Sequence, residues 1–150
     1  MSWDKITKAI AAALGAVAGL LGEWDATLTV LVIMMAMDYA TGVIVALCGR
    51  SPKTESGGLN SKIGFIGLAK KGFIMLMVLL AALLDRVIGT DGTMFRTMAV
   101  GYYIANEGLS VLENAALLGV PFPEKMRKAL EILRDKGDKD GGGDNAGSGG

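Results

Sequence analysis

The stretch TLTVLVIMMAMDYATGVIVAL, residues 27–47, decides the fold class, because it is long enough to cross a bilayer and carries one carboxylate, Asp38, near its middle. A hydrocarbon core about 30 Å thick takes roughly 20 helical residues to cross. Two further apolar runs follow at residues 72–88 and 95–119. With 51% of 150 residues hydrophobic, little chain is left for a soluble domain. The expected fold is therefore all-α, an integral membrane helical bundle of three to four transmembrane helices near residues 6–22, 27–47, 65–88 and 95–119. A short amphipathic helix at 124–136 completes a membrane domain over 1–136, and a disordered Gly-rich tail occupies 137–150.

Upstream of the deciding stretch, residues 6–22 are rich in Ala, Gly, Leu, Ile and Val and reach the lower limit for a span. Trp3 and Trp24 would place one indole at each interface of such a helix. Two other readings stay open. Lys5 and Lys8 share a face with Ala12, Gly15 and Gly19, as in a helix lying on the surface, and Ala16-Val17-Ala18 resembles a signal-peptide processing site.

Downstream, Arg50, Lys53, Lys62, Lys70 and Lys71 fall between the second and third runs, opposed only by Glu55, so the positive-inside rule makes this segment a cytoplasmic loop and these residues the ones that set topology. Glu23 and Asp25 stand without a base in the preceding connection, and Lys125, Arg127, Lys128, Arg134 and Lys136 follow the last run. Four spans with both termini inside satisfy every segment; three would move the N-terminus outside. Pro121 and Pro123 end the last run, after which Met126, Leu130 and Leu133 recur on a basic background. That pattern predicts a helix on the cytoplasmic leaflet.

At 1.5 Å per residue, Asp38 and Glu107 lie about 16–18 Å along their helices, near the bilayer midplane, with no Lys or Arg expected at that depth to offset them. Tyr103, Asn106, Glu107, Ser110, Glu113 and Asn114 fall within about 120° of arc and form one polar stripe. With Asp38 they are the candidate pore-lining residues. Roughly opposite, Gly101, Gly108 and Ala115 form a smooth strip suited to close packing by another helix, a role also open to Gly15, Gly19 and Gly42. Either the stripe closes on Asp38 within one bundle, or copies assemble and turn it toward water.

Several chemistries are disfavoured. The chain has no histidine and one cysteine, Cys48, so one copy cannot build a Cys/His zinc site or a Cys-His nucleophile. Gly67 and Gly72 have the gap of a phosphate-binding loop, but Phe73 and Ile74 stand where Lys and Ser/Thr belong. No catalytic residue, cofactor or metal is expected, and the bases are too sparse for a nucleic-acid surface.

Asp38-Tyr39-Ala40-Thr41-Gly42, Ser61-Lys62 with Gly67 and Lys70-Lys71-Gly72, the block Asn106-Glu107-Gly108-Leu109-Ser110-Val111-Leu112-Glu113-Asn114, and Gly119-Val120-Pro121 together resemble the bacteriophage holin family, which includes clostridial toxin-secretion holins. The resemblance covers roughly residues 28–133. It implies a small multi-pass protein of the bacterial cytoplasmic (inner) membrane that self-associates and opens lesions through which endolysin, or in some relatives a toxin, passes. The residues leave two alternatives, a proton- or ion-translocating membrane subunit and a non-conducting antiholin.

Overall fold

A computed structural model describes residues 2–89 and 93–141. They form five helices, α1 (Trp3–Leu21), α2 (Ala26–Leu47), α3 (Ser61–Ile88), α4 (Met94–Leu117) and α5 (Glu124–Gly141). The chain is all-α, with no strand among the described residues.

Local chemistry sets the boundaries. The Asp25 carboxylate accepts from the Leu28 N–H at 2.9 Å and the Thr27 hydroxyl at 2.7 Å, capping α2. Asn60 Oδ1 accepts from the N–H groups of Lys62 and Ile63 at 3.0 and 3.2 Å, so α3 begins at Ser61, a turn before the expected start and well before its apolar run. The start of α4 is capped from outside. Thr93 offers no side-chain cap, and Asp85, fully buried near the end of α3, accepts from the Phe95 and Arg96 N–H groups at 2.9 Å each. The expected tail began at residue 137, yet α5 continues to Gly141; the remainder of that tail, 142–150, lies outside the described residues.

Leu28, Leu31 and Met35 of α2 meet Val78 of α3 and Val100 of α4, with Leu21 closing one end, to make a core in one half of the bundle. Tyr39 fits against α3 where glycines leave room, since a methyl added at Gly64 or Gly67 would sit 3.5–3.8 Å from the tyrosine side chain. α1 rests mainly on α3 and buries only Leu21.

Away from that core, Val30, Ile33, Met37 and Ile44 of α2 and Phe65, Phe73, Leu76 and Leu80 of α3 are exposed. Large apolar side chains exposed in such number mark contact with lipid or a partner. α2 and α3 are the two described helices long and apolar enough to cross a membrane, and the protein itself buries only 22% and 17% of their most apolar windows. Asp4, Lys5 and Lys8 interrupt α1, and Arg96, Glu107 and Glu113 interrupt α4.

Candidate functional site

Three helices converge on one ammonium group. Lys71 of α3 donates to the carboxylates of Asp38 on α2 and Glu107 on α4, and the three side chains are only 15%, 10% and 8% exposed. Asp38 lies nine residues before Leu47, Lys71 ten after Ser61 and Glu107 ten before Leu117, so each sits roughly 14–15 Å from the same end of the bundle. This corrects the expectation that no base offsets the mid-depth carboxylates. Lys71 was expected in a loop because the apolar run begins after it, whereas the Asn60 cap starts the helix upstream and carries Lys70 and Lys71 into it. The readable signal was Asn60 followed by Ile63 and Ile66 at helical spacing.

Asn114, seven residues and about two turns beyond Glu107 on α4, extends the cluster. Its Nδ2 donates to Thr41 Oγ1 at 2.9 Å and lies 3.4 Å from both Asp38 Oδ1 and the Asp38 carbonyl. Gly42 lies on the same face, where a Cβ would be 3.8 Å from Asn114 Nδ2. Beside the cluster is a groove of about 730 Å³, lined by Asp38, Tyr103, Asn106, Glu107, Ser110, Glu113 and Asn114. Every polar residue singled out on the second and fourth runs thus meets in one groove within a single chain. Lys53, Lys70 and Arg134 also line it. With two carboxylates and one ammonium at its base, the cluster carries one surplus negative charge if all three groups are ionised.

The other residues singled out divide into three groups. Gly101 and Gly108 hold a helix, as expected of a smooth strip, but that helix is the chain's own α5. A Cβ at Gly108 would lie 3.0 Å from both Leu130 methyl carbons, and one at Gly101 would lie 3.7 Å from Leu133 Cδ1. α5 is therefore folded along α4 rather than free to lie on a leaflet, with Leu130 and Leu133 of its apolar stripe on the glycine strip and Met126 left exposed. Ala115 is half-buried, and Gly15 and Gly19 have nothing within 4 Å of an added Cβ. Arg50 donates to the Leu117 carbonyl at 3.2 Å and closes the end of α4, while Lys62 is exposed in the first turn of α3.

A second charged cluster, which the sequence did not reveal, lies at the opposite end. Arg96, 5% exposed, donates from Nε to the Leu21 carbonyl at 2.8 Å, from one terminal nitrogen to Asp25 at 2.8 Å and from the other to the Glu23 carbonyl at 2.9 Å. It ties the α1–α2 connection to the start of α4. The Arg96 hydrogen bond first, then those from the Leu28 N–H and the Thr27 hydroxyl, hold the Asp25 carboxyl well below the usual carboxylate range. Among the described residues, no group of three His, Cys, Asp or Glu side chains could hold a metal ion.

The model of the bacteriophage holin family matches residues 15–135, a segment that contains both clusters and most of every helix. The chain belongs to the bacteriophage holin family. Among its holin-family relatives, a probable holin of Bacillus phage phi105 is 30% identical over 113 residues, covering 75% of this chain and 77% of that protein. An uncharacterised 14.9 kDa protein from the nagH 3′ region of Clostridium perfringens is 44% identical over 115 residues, 77% of this chain and 82% of its own. An uncharacterised protein of Halalkalibacterium halodurans is 38% identical over 129 residues, 83% of this chain and 88% of its own. No solved structure matches the chain.

Proposed function

We propose that this holin-family chain assembles from copies in the bacterial cytoplasmic membrane and opens lesions through which an endolysin, or in another setting a toxin, leaves the cell. The observation that carries the reading is the Asp38–Lys71–Glu107 cluster, which joins three helices around a polar groove at mid-depth. An ordinary anchor has no use for three ionisable groups there, since each costs about 2.5–3.5 kcal/mol at a bilayer centre even on the lenient insertion scale. Buried against one another they are tolerable. A change of partners on assembly would then remodel the groove.

In this reading α4 crosses with α2 and α3, a view supported by its contacts with α2 at both ends, through Arg96 to Asp25 and through Asn114 to Thr41. α1 is the fourth crossing, both termini are cytoplasmic, and residues 1–136 act as one membrane domain. Partners are other copies and lipid; no lasting contact with endolysin is required.

A second reading is a proton- or ion-conducting subunit, favoured by the surplus carboxylate beside Lys71. Inducible expression with a co-expressed cytoplasmic endolysin separates them. A holin releases the enzyme and lyses the culture at a set time, a conducting subunit depolarises cells that retain it, and an antiholin alone does neither. Retention of endolysin at high expression would contradict the holin reading.

A further inference from the structure

α5 runs antiparallel to α4 and reaches far along it. Leu130 lies at Gly108, Leu133 at Gly101, and Gly137 so close to Tyr102 that a Cβ there would be 2.9 Å from Tyr102 Cβ and 3.4 Å from the Met98 carbonyl. Moving along α5 from Leu130 to Gly137 therefore follows α4 from the level of Glu107 toward the Arg96 clamp. The outer face of α5 exposes Lys128, Asp135 and Lys136. Its two ion pairs, Arg127 to Glu131 at 3.3 Å and Arg134 to Asp135 at 3.5 Å, stay within the helix.

If α4 crosses the bilayer, this face lies at membrane depth with charges that no other described helix neutralises. Hydrocarbon does not tolerate such a face; a water-filled cavity does. The apolar side of α5 gives no reason to leave α4, since Leu130 fills the space the glycine provides.

We propose that docked α5 is the water-facing wall of the assembled lesion. Copies arranged with α4 and α5 inward present Lys128, Asp135 and Lys136 to the lumen. The inference rests on the proposed crossing of α4 and on lesion formation.

The test is a disulfide between α4 and α5 in the full chain, made by Gly108→Cys with Leu130→Cys in a Cys48→Ser background, the lost leucine making room for the bridge. Cells expressing it receive an oxidant after induction, and both cross-link and release of a cytoplasmic reporter protein are followed. The expected result is a cross-link that forms in the chain with α5 docked and a locked chain that releases reporter at least as early as the reduced one. A locked chain that stays sealed until reductant is added would overturn the proposal, as would lesions that open without cross-link. A Cys48→Ser parent that releases nothing would instead remove the holin reading beneath it. Independently, Lys128→Glu with Lys136→Glu should shift the reversal potential of early channels in planar bilayers toward cation selectivity; unchanged selectivity contradicts a lumen lined by α5.

Discussion

The two buried charge clusters differ in how completely they are matched. At one end Arg96 spends its donors on one carboxylate and two carbonyls, and Asp85 accepts from the first N–H groups of α4, so the partners sit at helix termini that need them. At mid-depth, one ammonium serves two carboxylates beside a groove of about 730 Å³. The first arrangement is that of a fastening. The second gathers one ammonium and two carboxylates beside open space, the arrangement that the proposed function would use as a joint with exchangeable partners.

Removing the shared ammonium should produce the largest effect. Lys71→Met leaves two carboxylates facing each other with little solvent, and a loss of about 3–5 kcal/mol is expected, read as lower membrane accumulation and a lower melting point in detergent. Next comes Arg96→Ala, at about 2–3 kcal/mol, because its carboxylate partner Asp25 is 43% exposed and water takes over part of the lost contact. If this variant altered lesion timing without altering stability, the outer cluster would be no mere fastening.

Glu107→Gln sharpens the contrast from the other side. It removes the second carboxylate and leaves Lys71 paired with Asp38, so stability should stay within about 1 kcal/mol of the parent while the timing of lysis moves. The smallest effect concerns pH. Because the Asp25 carboxyl is held below its unfolded value of about 3.9, its stabilisation is complete above that pH and is lost as pH falls through the folded value. Thermal melting below pH 4 should therefore be less pH-sensitive in Asp25→Asn than in the parent; parallel slopes would deny the Arg96 pairing.

The apolar runs of α2 and α3 were legible because length and composition suffice to read them, and helical periodicity collected the α4 residues that line the groove. Lys71 was not, since a basic residue at the edge of an apolar run reads equally as loop or helix until its cap is found. Asp85 and Arg96 were missed for a related reason. Charges near helix ends are usually solvated, and only the fold shows that these two turn inward onto another helix's start and a neighbouring connection. The docking of α5 was hidden by degeneracy, because Leu130 and Leu133 can face a lipid surface or a glycine-lined helix alike.

Lysis timing, measured alongside membrane accumulation, in Lys71→Met and in a triple variant with Asp38→Asn, Lys71→Met and Glu107→Gln tests the joint most directly. The single change should lower accumulation and delay or abolish lysis, and neutralising all three should restore accumulation with altered timing. Wild-type accumulation and timing in Lys71→Met would contradict a charge joint that holds these helices together.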